Sequence, residues 1–273
     1  MYNESLVKAP YPFGFIGDGV TRCMVLTLPV WKVRGFLPAC MELSEQDATP
    51  EETHPVIFLF HGFVQCQFSF PTFLPPMQFN EQTIGIPFVR VRANDQFPAG
   101  SGPYYFMPKL YLDDAWVWMI GRTYWGFDKE MASVRVTCES YSVNNHSGTF
   151  LASLEWDGEG KSRSAVEGYS EFEPIREMLS QPLITLAPHL ALTDFERTWN
   201  LGTVRPIKAT LRVSRSYLPG LEDGTFMSEK ATAVSAVVGA YELSAPWWLS
   251  FPYVPSRPVR MLAREPGVRI PQS

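Results

Sequence analysis

The stretch Tyr104–Val136, YYFMPKLYLDDAWVWMIGRTYWGFDKEMASVRV, governs the reading of the whole chain. Apolar and aromatic residues run from Lys109 to Leu112 and again from Ala115 to Ile120, on either side of Asp113-Asp114. Two short β-favouring runs split by a turn-forming pair predict strand, tight turn, strand. Gly121-Arg122 follows, then the aromatic cluster Tyr124-Trp125-Gly126-Phe127, and then Lys129, set between Phe127 and Met131. A lysine in such company has two readings. On the surface, its stem covers the rings while its ammonium stays in water. Inside, an ammonium without a partner is costly, burial favours the neutral amine, and a neutral amine is a nucleophile.

Working outward, short apolar runs recur, each bounded by turn formers. Cys23–Leu28, Val56–Phe60 and Val64–Phe70 read as strands, the last two on either side of His61-Gly62. Phe88–Arg92 and Ser133–Thr137 alternate apolar with polar residues, the period of a half-buried strand. Thr149–Trp156 ends on Asp157-Gly158-Glu159-Gly160, a hairpin signal, and further strands are predicted over 181–187, 193–201, 206–214 and 230–243. Two short helices are predicted, over Pro29–Leu37 with a proline at its first position, and around Pro174–Leu179. Residues 10–22 read as an irregular Gly- and Pro-rich lead-in, and 43–54 as a solvated acidic loop. The Pro- and Arg-rich tail after Pro252 reads as a wrap over the surface or a neighbouring subunit. Neither repeat nor linker breaks the pattern, so the expectation is one sheet-rich domain over 1–273, closed or nearly closed.

Composition narrows the partners. Of 273 residues, 45% are hydrophobic and 14% aromatic, enough for a sizeable core and an aromatic-lined pocket or interface. A net charge of −5 argues against nucleic acid as the main partner. No apolar run reaches the roughly 18 residues of a membrane span, and MYNESLVKAP lacks the apolar centre of a secretory leader. Cys23, Cys40, Cys66 and Cys138 lie far apart with no C-x-x-C pair, which reads as reduced thiols in a cytoplasmic protein. His54, His61, His146 and His189 show no metal-ligand spacing, so no metal site is expected. His61, between two apolar runs, reads as a hydrogen-bonded core histidine.

The order Tyr111-Leu112-Asp113-Asp114, apolar run, Gly121-Arg122, aromatic cluster, Gly126-Phe127-Asp128-Lys129 resembles the acetoacetate decarboxylase family. A second segment, Phe79–Pro87 (FNEQTIGIP), resembles the strand that carries an acidic catalytic residue in that family, and maps it to Glu81. Leu37-Pro38 and Val237–Leu243 fit the framing elements. Acetoacetate decarboxylase is itself a standard example of an activated lysine, so the mechanism comes with the resemblance. The resemblance implies a mainly β (β-rich α+β) fold: a closed central β-barrel wrapped by additional antiparallel sheet, with a few short helices and Lys129 inside. It further implies a Schiff base between Lys129 and a keto acid, Glu81 as the proton shuttle, no organic cofactor, and a homo-oligomer. Two departures stand out. Where the family commonly has Pro-Lys-Lys this chain has Asp128-Lys129-Glu130, and Thr123 stands where glutamate is common.

Three further residues are candidates for the substrate. A keto acid needs a cation for its carboxylate, and arginine binds one bidentately. Arg122 is marked by the Gly-Arg pattern, with a structural ion pair as the other reading. Arg22 sits roughly where the family has an N-terminal active-site arginine. Glu130 either joins in proton transfer or, since consecutive strand residues face opposite sides, points outward and never meets the amine. The iminium accepts electrons from a broken C–COO−, C–H or C–C bond, so a lysine sets the type of chemistry and not the reaction. Decarboxylation of a short β-keto acid is the leading expectation. A Schiff-base aldolase or dehydratase, and a non-catalytic barrel that holds a small ligand, are the alternatives.

Overall fold

The computed structural model describes residues 14–69, 75–92, 94, 97, 101–158, 160–186, 190–228 and 237–253. The N-terminal segment, the start of the strand expected over 230–243 and the tail from 254 onward lie outside the described residues. In chain order the strands are β1 (Gly14–Pro29), β2 (Met41–Leu43), β3 (Thr53–Phe68), β4 (Met77–Val91), β5 (Tyr104–Leu112), β6 (Lys129–Val136), β7 (Ser140–Asn145), β8 (Phe150–Asp157) and β9 (Arg163–Ser164). There follow β10 (Leu183–Thr185), β11 (Ala191–Thr193), β12 (Phe195–Arg197), β13 (Thr203–Pro206), β14 (Lys208–Val213), β15 (Gly224–Met227), β16 (Val237–Ser244) and β17 (Trp247–Ser250). Three short helices, α1 (Val30–Arg34), α2 (Ala115–Tyr124) and α3 (Glu173–Met178), lie between them.

The framework is a set of long antiparallel ladders. β1 pairs with β3 from Phe15↔Phe68 to Pro29↔Thr53, β3 with β4 from Ile57↔Gly85 to Cys66↔Met77, and β4 with β5 from Glu81↔Leu112 to Val89↔Tyr104. β16 and β17 line the other edge of β1. Along these strands alternate residues enter two different cores. Met24, Leu26, Phe58 and Phe60 pack with Tyr141, Leu154 and Leu211, whereas Cys23, Val25, Ile57 and Leu59 pack with Trp125, Phe172 and Trp247. The main sheet is therefore buried on both faces, which is why its strands read as near-continuous apolar runs.

The sheet is an open half-barrel, and this corrects the closed barrel expected from the sequence. The outer edge of β5 is divided between two short parallel partners, β10 at Leu183↔Tyr105 and β6 at Leu110↔Lys129. Beyond this division β6 leads out into a second antiparallel sheet, β6-β7-β8-β14-β15. Shared in this way, β5 offers no continuous edge on which the main sheet could close.

Three local expectations are also corrected. Ala115–Ile120 is helix, not strand: the Asp114 carboxylate accepts from the Val117 N–H at 2.8 Å and caps α2. Val117 and Gly121, four residues apart, are the buried face of that helix. Asp113 sits in the bend between β5 and α2, and its carboxylate accepts from the backbone and side-chain nitrogens of Asn80 at 2.8 and 2.7 Å, tying that bend to β4. Residues 14–22 are strand, because the glycines mark close packing rather than a loop: a Cβ on Gly17 would stand 2.7 Å from Cys66 Sγ and 2.9 Å from the Trp247 ring. Finally, β3 runs unbroken through His61-Gly62. The two expected helices are present, α1 shorter than expected and α3 displaced by one residue. All four cysteines are free thiols.

Candidate active site

Lys129 is the first residue of β6, paired in parallel with Leu110 of β5. Glu81 lies on β4, with His61 of β3 as its neighbour on one side and Leu112 of β5 on the other. Placed by three different strands, the two side chains meet: Lys129 Nζ donates to Glu81 Oε2 at 2.6 Å. Both are buried, with 7% and 10% of their side-chain surface exposed. The buried lysine thus has a counter-ion, and removing either group would leave a buried unpaired charge.

The strand–helix motif explains how the amine is held. Lys129 lies across α2 at Gly121, where a Cβ would stand 2.5 Å from Lys129 Cε and 3.0 Å from Nζ. Glycine is the residue that lets the lysine through. The Trp118 indole and the Arg122 guanidinium both donate to the Lys129 carbonyl, at 3.1 and 3.2 Å. Arg122 is thereby placed behind the lysine and not in front of it, and its guanidinium lies against the Trp118 ring at 5.3 Å.

Alternation disposes of the neighbours of Lys129. Asp128 and Glu130 are exposed and share Lys109 as a cation, with Lys109 Nζ 3.1 Å from Asp128 Oδ1. Glu130 is thus on the opposite face from the Lys129 amine. Arg22, on β1, pairs with Glu242 at 2.7 Å and stacks over Trp156 at 4.0 Å, and Arg205 shares the same carboxylate. The residues beside it, Thr21 and Cys23, are the ones that face the Glu81 side of the sheet. Of the five residues singled out from sequence, the structure brings Lys129 and Glu81 together and sets Arg22, Arg122 and Glu130 outside the cavity lining.

Lys129 and Glu81 lie in the wall of a cavity that offers about 80 Å³ to water-sized groups and is walled by aromatic side chains such as Phe15, Phe79, Trp125 and Phe127. Three polar side chains not singled out as site residues line it too. His61 shares a hydrogen bond between Nδ1 and Thr21 Oγ1 (2.8 Å) and stacks on Phe63, as a core histidine would. Burial, and then the nearby Arg197 and Lys129 cations, hold its imidazole well below the usual histidine range, so it is neutral. Tyr105, on β5, has its phenol pushed up by burial. Arg197, the last residue of β12, is buried, and burial lowers its guanidinium to about 10, still a cation at neutral pH. No local motif marks Arg197; the one hint is that Phe195 and Arg197 alternate onto a common face, and the guanidinium stands over the Phe195 ring at 4.5 Å. Among the described residues no cluster of His, Cys, Asp or Glu is arranged to hold a metal ion.

Comparison with known proteins agrees with this geometry at the level of the fold. The family model for acetoacetate decarboxylase matches residues 6–167. An acetoacetate decarboxylase from Legionella pneumophila subsp. pneumophila str. Philadelphia 1 superposes with a TM-score of 0.58 at 14% identity, over 92% of this chain and 93% of that one. The enduracididine biosynthesis enzyme MppR, solved with pyruvate, gives 0.56 at 15% identity over 93% of each chain. An acetoacetate decarboxylase-like enzyme from Sphingomonas wittichii RW1 gives 0.56 at 11% identity, over 93% of this chain and 98% of that one. Comparison with curated proteins finds no match.

Proposed function

The chain belongs to the acetoacetate decarboxylase family, and from that premise we propose that it is a Schiff-base-forming carbon–carbon lyase that decarboxylates a short β-keto acid such as acetoacetate. The observation that carries the reading is the 2.6 Å contact between buried Lys129 and Glu81 in the wall of an apolar cavity. Transfer of a proton from Lys129 to Glu81 along that contact would free the amine lone pair to attack a ketone carbon.

The rest follows by conservation of protons and electron pairs. As the C–N bond forms, a proton passes from nitrogen to the former carbonyl oxygen. The protonated Glu81 then gives its proton to that hydroxyl, water leaves, and an iminium remains beside the Glu81 carboxylate. In a β-keto acid the C–COO− electron pair flows into the iminium, releasing CO2 and leaving an enamine. A solvent proton, relayed by Glu81, is taken up at carbon. Water then adds to the iminium, and the ketone departs with Lys129 regenerated. The aromatic walls exclude bulk water from the intermediate, and a space of about 80 Å³, room for roughly six water-sized groups, suits a short substrate.

Arg197 favours a second reading. A carboxylate held by arginine is stabilised as an anion, and that stabilisation is lost as it becomes neutral CO2. A carboxylate that stays on the substrate avoids the loss, with the iminium accepting electrons from an adjacent C–H bond for aldol or dehydration chemistry. MppR, whose fold this chain shares, has been solved with pyruvate, a keto acid of that kind.

Intact-mass analysis after borohydride reduction with acetoacetate or pyruvate tests the shared step. A mass increment located on Lys129 and absent from Lys129→Ala is the expected result, and no increment with any keto acid would reject it in favour of a ligand-binding barrel. CO2 release from acetoacetate then decides between the readings: trapping without CO2 would reject decarboxylation.

A further inference from the structure

The Lys129 cavity holds polar donors that the Schiff-base steps do not use and that are incompletely matched by acceptors. Arg197 donates through Nη1 to the Leu179 carbonyl at 3.2 Å, and among the described residues it has no carboxylate partner. Its other neighbours are rings, Phe195 at 4.5 Å and Trp199 at 5.6 Å, which soften a cation's burial without neutralising it. Among the described residues the buried Tyr105 hydroxyl has no hydrogen-bond partner, and neither has the buried Trp247 indole N–H. The nearby Trp125 indole, by contrast, donates to the Ser250 carbonyl at 2.6 Å. Buried donors are as a rule satisfied, so several orphans in one cavity wall call for an acceptor from outside the chain.

The orphans are neighbours. Arg197 and Trp247 are direct partners in the β12–β17 ladder, and Tyr105 lines the same cavity. The fold also makes room for the phenol: a Cβ on Gly85 would stand 1.6 Å from the Tyr105 oxygen, so only glycine opposite lets that hydroxyl reach its position. Charge bookkeeping points the same way. Lys129 and Glu81 cancel, which leaves the cavity with the uncompensated cation of Arg197. What fits is a monoanion with two acceptor oxygens.

We propose that Arg197, with the Tyr105 hydroxyl and the Trp247 N–H, forms a carboxylate-binding subsite in the Lys129 cavity, and that this subsite makes the protein select keto acids over neutral ketones. The inference rests on the Schiff-base reading for the identity of the substrate, but not for the binding of the anion. Arg197 lies beyond residues 6–167, so the family match does not bring it in. A guanidinium offers two parallel N–H donors to a carboxylate, and the phenol supplies a third bond from another direction.

Two measurements separate this subsite from the imine chemistry. In borohydride trapping, the wild type should be half-modified at about tenfold to a hundredfold lower concentrations of pyruvate or acetoacetate than of acetone, the range expected of charged hydrogen bonds. Arg197→Gln should lose that advantage while acetone still traps. Tyr105→Phe, which removes one oxygen and keeps the ring, should lose about threefold to tenfold. Equal loss of keto-acid and acetone trapping in Arg197→Gln, or no change in either variant, would overturn the proposal. The second measurement is thermal stabilisation by propanoate, a carboxylate with no carbonyl to condense. It should appear in the wild type and in Lys129→Met and vanish in Arg197→Gln. If no carbonyl compound traps but propanoate still stabilises through Arg197, the Schiff-base reading falls and the subsite stands. Stabilisation that survives Arg197→Gln would sink the subsite whatever the trapping shows.

Discussion

Two lysine–carboxylate groups sit close together in this chain and do opposite things. Lys109 meets Asp128 and Glu130 on the outside of the sheet, where more than half of the Asp128 side chain is exposed. Lys129, between those same two acids in sequence, turns inward to a single partner, Glu81, in a cavity with aromatic walls. The chemical groups are identical, and the surrounding dielectric is not. Outside, water and salt screen the attraction, and such pairs contribute little to stability. Inside, the pair is short of solvent and its attraction is little screened, which is the setting the proposed chemistry needs. On the proposed reading, the face of the sheet and not the residue type separates the reactive lysine from the inert one.

The largest effect that this contrast predicts is on catalysis. Lys129→Ala should reduce turnover by at least about 10³-fold, and Glu81→Gln by about 10²–10⁴-fold, both read as kcat with the best keto acid. Lys109→Ala should leave kcat unchanged; a loss comparable to that of Lys129→Ala would mean that the outer lysine is the reactive one.

Stability comes next. Removing one member of the buried pair should destabilise by about 3–5 kcal/mol, whereas the double variant Lys129→Met/Glu81→Gln should regain much of that loss without regaining activity. Denaturant unfolding measures both. Asp128→Asn and Glu130→Gln should change stability by no more than about 0.5 kcal/mol. Gly121→Ala is a geometric version of the same test. Its methyl would meet the lysine side chain directly, so kcat should fall by about 10–100-fold through misplacement of the amine.

The smallest predicted effect is a pH dependence. Burial holds His54 below the ordinary histidine range, and burial with the neighbouring cations holds His61 well below it. Both are neutral in the native state and take up protons in the unfolded chain near pH 6.5. As pH falls below about 6.5 the unfolded state binds more protons, so stability declines from there toward the lower native values. The melting temperature should fall on acidification through this window, and His61→Asn should flatten the slope. An unchanged slope in that variant would assign the effect elsewhere.

How far the sequence reached depended on the range of the interaction. Lys129 and Glu81 were legible because each sits in a short motif whose order is contiguous in the chain. For Glu130, alternation offered the outward reading beside the site reading without choosing between them, and the structure chose the outward one. Helix α2 was misread because the residues after Asp114 have β-favouring side chains, while the cap at Asp114 and the Val117–Gly121 face settle the matter in favour of helix. The Gly-rich start of β1 was misread because its glycines answer to Cys66 and Trp247, which lie far along the chain.

Composition and local pattern by themselves determined that this is a strand-rich chain; the family resemblance is what marked Lys129 as a candidate nucleophile and Glu81 as the acid to serve it. Tertiary structure alone decided that the half-barrel stays open, that Arg22 and Arg122 are used up in holding the framework, and that Arg197 and Tyr105 converge on the cavity. The physical reason is that alternation and capping act over a few residues and leave a trace in the sequence. Which face of a long ladder meets which other strand depends on pairings between distant segments, such as β12 with β17, and those exist only once the chain has folded.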